Sequence, residues 1–245
     1  MDTPMLTHIP ADNNRNRMTS CLYMLHISDP LTPIGGFTHS YGLETYVQKN
    51  LVNSCESAEE YLEGYLLNNF LYNDLLSAKL AWEYTRDENI NELIELNNIL
   101  CVSKAPAELR NASIKLGLRL IKIIEKKLRD KDIFNKYLQA VRNGECETNY
   151  STVYGMSACL LGVPREDALC AISYGTASAI VSNCVKMIPL SQMDGQRILF
   201  NIHEKIIEIV DSAMALDKKD LGLSCIGFDI RSMQHERLYT RLYIS

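Results

Sequence analysis

The first residues in this chain that could do chemistry together are His39 and Glu44. An imidazole in hydrogen-bond contact with a carboxylate forms a general base and its orienting partner. With a further carboxylate, the same two groups could hold a metal in passing. Both lie in TPIGGFTHSYGLETY, residues 32–46, which also carries Pro33, Gly35, Gly36, Phe37, Ser40, Tyr41 and Gly42. Five positions of separation do not stack His39 on Glu44 in a helix, where neighbours lie three or four apart. Two further readings stay open. Gly35 and Gly36 could let the chain expose Phe37 and His39 as a protein-binding surface, because aromatic residues anchor interfaces. Alternatively, the stretch only caps and packs the fold.

Other reactive motifs are absent. There is no G-x-x-x-x-G-K-S/T phosphate loop and no G-x-S-x-G elbow, and Gly35-Gly36 lacks the third glycine of a dinucleotide site. Eight cysteines, at 21, 55, 101, 146, 159, 170, 184 and 225, include no C-x-x-C pair, and no His-x-x-x-His pair occurs. No catalytic residue, resident metal site or cofactor is assigned. Cys21, Cys101, Cys159, Cys170 and Cys184 fall in apolar helical patterns and read as buried thiols, whereas Cys55, Cys146 and Cys225 read as exposed.

The elements that position these residues read as helices throughout. Pro33 and the glycine pair make a tight loop that feeds a short helix from about residue 39, with Leu43, Tyr46 and Val47 packing it. Before it, residues 19–28 form an apolar helix that stops ahead of Pro30. An S-x-x-E box at Ser57 and Glu60 starts a helix to about Tyr84, apolar nearly all round, with Asn68, Asn69, Asn73 and Asp74 as internal glue or as a partner surface. Further helices span about 90–102, then from Pro106 onward, 133–141, 150–161, Pro164 to Met187, and from Ser191 along an apolar stripe to Leu216. Small residues between 168 and 179 permit close helix approach, in the core or between subunits. Lys115, Arg119, Lys122 and Lys126 line one helix face; from 115 to 131 there are seven basic and two acidic residues. That face is either solvated or docks an acidic protein.

The 245 residues, 47% hydrophobic and 22% charged, suit a single folded domain. The reading is one all-α helical bundle of about eight to ten helices over 18–228, a flexible polar tail over 1–17 and a partner-binding tail over 229–245. The net charge of −5 argues against nucleic acid as the partner. No uninterrupted run of 18 apolar residues and no signal-peptide pattern appear, so a cytoplasmic protein without a membrane span is expected.

Three stretches carry a family resemblance. PIGGFTHSYGLETY is similar to the N-terminal signature of the urease accessory protein UreF family. The run PLSQMDGQ, from Pro189, and the tail SMQHERLYTRLYIS, from Ser232, resemble two further blocks of that family. The resemblance implies an all-helical fold and no catalysis. It implies a homodimer that bridges UreD (UreH in some species) and the GTPase UreG during nickel insertion into the urease apoprotein. Phe37, His39, Ser40, Tyr41, Glu44, Arg231, His235 and Arg241 are then the candidate partner-binding residues, with Pro33, Gly35, Gly36 and Gly42 as the structural motif. Position 37 is Phe here and Tyr in some relatives, so a hydroxyl contact made there is missing. The alternative remains a helical metal-binding protein or enzyme using His39 and Glu44.

Overall fold

Helix starts follow prolines and capping residues. The computed structural model describes residues 11–34, 39–40, 42–223 and 226–243. Its helices are α1 (Ala11–Ser28), α2 (Leu43–Gln48), α3 (Cys55–Tyr65), α4 (Leu76–Arg86), α5 (Ile90–Ser103), α6 (Ala107–Leu128), α7 (Asp132–Arg142), α8 (Tyr150–Leu160), α9 (Arg165–Met187), α10 (Gln192–Asn201), α11 (His203–Ala215) and α12 (Ile226–His235). Pro106 and Pro164 stand immediately before α6 and α9, where a missing N–H costs nothing. Ser191 and Asp194 cap α10 reciprocally. Gly144 and Gly162, both in the left-handed region, follow α7 and α8.

No strand occurs among the described residues, and the all-α expectation holds. Helix α3 runs through a π-helical segment, Leu66–Leu75, directly into α4. The expected stripe from Ser191 to Leu216 breaks at Ile202 into α10 and α11. Two boundaries move. The cap of α3 is Ser54 with Ser57, three residues before the expected box, because Ser57 Oγ reaches back to the Ser54 N–H. Helix α1 begins at Ala11, inside the segment read as a tail.

The π segment holds the polar residues that had two readings. Asn73 and Asn69 are buried, and Asn73 Nδ2 donates to the Asn69 carbonyl at 3.0 Å. Asn68 does the same to Gly64 at 2.9 Å. Each side chain takes the carbonyl four residues back, the acceptor an α-helix gives to the backbone N–H, so the ladder there shifts to the fifth residue. Asp74 pairs with Lys104 at 2.8 Å. Asn69 and Asn73 are internal glue, Asp74 is half-buried in its ion pair, and Asn68 faces outward.

Helix α8 lies at the centre, packed against α4 and α6, with every residue from Ser151 to Ala158 buried. Gly155 lets α4 approach: a Cβ there would lie 2.1 Å from the Ala78 carbonyl oxygen. Ser77 Oγ donates to Ser151 Oγ at 2.7 Å across the same crossing. The small residues of α9 serve the core in part. Ala168 and Ala177 are buried, and Gly175 admits the Ser28 carbonyl of α1, 2.8 Å from where a Cβ would stand. By length and composition α9 is apolar enough to cross a membrane, although it contains no uninterrupted run of 18 apolar residues. Half of its most apolar window is buried against neighbouring helices.

All seven described cysteines are free. Two expectations reverse: Cys21 is exposed and Cys146 is buried. Cys21 lies on an exposed face of α1, whereas Cys146 is buried in the linker between α7 and α8. Burial pushes the thiols of Cys146 and Cys159 up to about 11 and that of Cys184 up to about 12, so they stay protonated and unreactive at neutral pH.

Candidate partner-binding site

Glu44 lies in the first turn of α2, and the chain enters that helix through Gly42 at φ 84°. Glycine adopts this left-handed conformation without strain. Space requires it too, since a Cβ on Gly42 would stand 2.6 Å from Ser232 Oγ of α12. The two helices therefore touch backbone to side chain, and Thr45 Oγ1 ties them by donating to the Arg231 carbonyl at 3.0 Å.

Helix α12 is seated by one aromatic plug. Phe228 packs among Tyr46, Tyr61 and Tyr65 with ring centroids 5.9, 5.7 and 5.7 Å away. One and two turns on from Phe228 come Ser232 and His235, both buried. The opposite face, Ile226, Ile230 and Met233, is exposed. Tyr239 and Leu242 beyond the helix are exposed as well.

His235 closes the site. Its Nε2 is 3.0 Å from Glu44 Oε2, and its Nδ1 is 2.8 Å from Glu108 Oε2 in the first turn of α6. Glu44 also accepts the backbone N–H groups of Leu242, at 2.8 Å, and Tyr243, at 3.2 Å. Arg241 Nη1 donates to the other oxygen of Glu108 at 2.6 Å. Gln48 Nε2 donates to the Thr240 carbonyl at 2.8 Å. A chain of hydrogen-bonded side chains thus runs Glu44, His235, Glu108, Arg241, and it pins the tail to α2 and α6. Burial, and then the Glu44 charge, raise the Tyr243 phenol above its usual range.

The flanks of the signature loop are held from three sides. Thr32 Oγ1 donates to the His26 carbonyl at 2.7 Å, Arg119 Nη1 to the Ile34 carbonyl at 2.8 Å, and Asn183 Nδ2 to the His39 carbonyl at 2.9 Å. His39 itself is buried; burial first, then the cations Arg119 and Lys115, push its imidazole down to about 4, so it is neutral at neutral pH. Ser40 is fully buried, and its Oγ has no partner among the described residues.

The structure thus brings Gly42, Glu44, Arg231, His235 and Arg241 together. Arg241 is exposed, and Arg231 stands over the Tyr46 ring at 5.8 Å. Pro33 is exposed on the loop flank. Gly35, Gly36, Phe37 and Tyr41 lie outside the described residues, as does Cys225. The short helix starts at Leu43, four residues later than expected, because Gly42 turns the chain first. Among the described residues no group of three or more His, Cys, Asp or Glu is arranged to hold a metal. Sequence reasoning missed Glu108 and Phe228. Glu108 was legible only as a favourable charge at a helix start. Phe228 shares the four-then-three spacing of Ser232 and His235, a signal that could have found it.

The profile of the UreF family matches residues 52–203. A urease accessory protein UreF of Actinobacillus pleuropneumoniae serotype 5b is 40% identical over 222 residues, 91% of this chain and 97% of the relative. The protein of that name from Haemophilus influenzae is 41% identical over 235 residues, 96% of this chain and all of the relative. One from a Bacillus species is 32% identical over 228 residues, 93% and 100%.

The chain belongs to the UreF family.

UreF proteins are accessory proteins and not enzymes, so the catalytic reading of His39 and Glu44 lapses. The UreF profile spans α3 to the start of α11, the body of the bundle. The cluster of Glu44, His235 and Arg241 is built from the segments that flank this body.

Proposed function

We propose that this UreF-family chain acts in urease maturation as a scaffold and GTPase-regulating chaperone for nickel insertion. In this reading it forms a homodimer in the cytoplasm, bridges UreD (UreH) and the GTPase UreG, and presents them to the urease apoprotein; nickel is cargo. One observation carries the reading. The N-terminal signature and the C-terminal tail, which make no sense as a catalytic pair, converge through Glu44, His235 and Arg241 onto one face. The same C-terminal segment leaves Ile226, Ile230, Met233, Tyr239, Arg241 and Leu242 exposed; exposed apolar residues mark interaction sites, and Tyr and Arg are the types that anchor protein interfaces. Glu44 and His235 are buried beneath it, so their role is to hold the tail in place, while Phe37, Arg231 and Arg241 make contacts.

Co-purification tests it. The full chain, expressed with UreD and UreG from the same organism, is expected to elute with both and to support urease activation in their presence. Recovery of the chain as a monomer free of both partners overturns the proposal.

A further inference from the structure

Many basic side chains outside α6 are neutralised by an acidic neighbour. Lys136 pairs with Asp132, Arg142 with Glu125, Arg197 with Asp194, Lys205 with Glu208, and Lys218 with Glu92 and Glu95. Among the described residues, helix α6 gathers several unpaired cations on one face. Lys115, Arg119, Lys122 and Lys126 are exposed, follow one another at four, three and four residues, and form no ion pair among the described residues. Their spacing puts them on one line about 16 Å long. Like charges so placed weaken a helix, so helix stability does not account for them. Leu118, three residues after Lys115 and four before Lys122, is 40% exposed in the midst of these cations. Arg119 also holds the Ile34 carbonyl, which sets the line beside the signature loop.

We infer that this face of α6 is a docking surface for an acidic segment of a partner protein, with Leu118 as its apolar centre. Two observations choose protein over nucleic acid. An exposed leucine among the cations matches an apolar side chain and not a phosphate backbone. The chain as a whole carries −5, so its overall field opposes a polyanion while the line of cations attracts a local acidic patch.

The test uses the full chain and a fluorescently labelled peptide of Glu-Glu-Leu repeats, with fluorescence anisotropy as the readout. Replacing Lys115, Lys122 and Lys126 together by Glu is expected to weaken binding by at least about tenfold, in line with the loss of several attractive charges. Leu118→Ser is expected to weaken it about threefold to tenfold, as for one buried apolar group. The matched replacement of Lys49, Lys136 and Lys219 by Glu changes net charge equally and is expected to leave binding within about twofold of the parent at moderate salt, because exposed charges beyond a Debye length are screened. Circular dichroism melts establish that each variant is folded. The inference is overturned if the matched variant loses binding as fully as the α6 variant. It is equally overturned if Leu118→Ser has no effect, if the parent chain does not bind the peptide, or if it binds a single-stranded oligonucleotide of equal charge more tightly.

Discussion

Glu44 and His235 are 191 positions apart in the chain and 3.0 Å apart in the fold. Each is almost fully buried, at 3% and 0% exposure. A carboxylate is stable in such a place only while donors surround it, and His235, Leu242 and Tyr243 are those donors. The contact therefore links the docking of the tail to the integrity of the signature helix.

Removing the histidine tests that link. In His235→Ala, Glu44 is expected to regain water by release of the tail, at a cost of about 1–3 kcal/mol. Amides of residues 236–243 should then exchange faster with solvent while those of α4 and α8 keep their protection. Cooperative loss of protection through the whole bundle would show that the tail is part of the core.

Arg241 is expected to behave in the opposite way. Its side chain is 39% exposed where it meets Glu108, so Arg241→Ala should cost no more than about 1 kcal/mol. On the proposed function, this variant and Phe37→Ala keep their melting temperature within a few degrees, still bind UreD, and lose UreG and urease activation. Retention of UreG by both, or a large fall in melting temperature, would count against the assignment.

Two glycines with positive φ separate strain from collision. Gly144 has nothing within 4 Å of an added Cβ, so Gly144→Ala should cost only the conformational strain of about 1–2 kcal/mol. Gly42→Ala carries the same strain and also meets Ser232 Oγ at 2.6 Å, so it should cost about 1–3 kcal/mol more. Urea unfolding of both, and of Gly42→Ala combined with Ser232→Gly, measures the difference; the second change should restore part of the loss.

At the α4–α8 crossing the obstruction is backbone. Gly155→Ala improves helix propensity by about 1 kcal/mol, yet its Cβ would lie 2.1 Å from the Ala78 carbonyl oxygen. The helices must separate, and a net destabilisation of about 3 kcal/mol is expected by urea unfolding. A neutral or stabilising result would mean that α4 and α8 pack less closely than described.

His39 makes stability depend on pH. Its imidazole sits at about 4 in the fold against 6.5 when free, so the unfolded chain binds the extra proton first. The stability it contributes is complete above pH 6.5 and is lost as pH falls toward 4, with a slope of at most about 1.4 kcal/mol per unit for one proton. Urea midpoints for the parent chain and His39→Gln between pH 7 and 4.5 should show this slope in the parent and a shallower one in the variant. Equal slopes would remove His39 as its source.

Local rules settled much of this protein in advance. Prolines 106 and 164, the Ser191–Asp194 box and the terminal glycines 144 and 162 place helix ends, because capping and backbone freedom act over a few residues. Apolar periodicity likewise sets an all-α core, and the motif blocks at 33–46 and 232–245 mark the family. What no local rule contains is that Glu44 would be met by His235 and then by Glu108 from a third element. Such a contact depends on where α2, α6 and α12 come to rest, and that is decided by packing: Phe228 among three tyrosines, Ser232 against Gly42, and α8 drawn close to α4 by Gly155. The exposure of Cys21 and the burial of Cys146 went the other way from their sequence reading for the same reason. Periodicity says that a helix has an apolar face, but only the surrounding helices determine whether that face is covered.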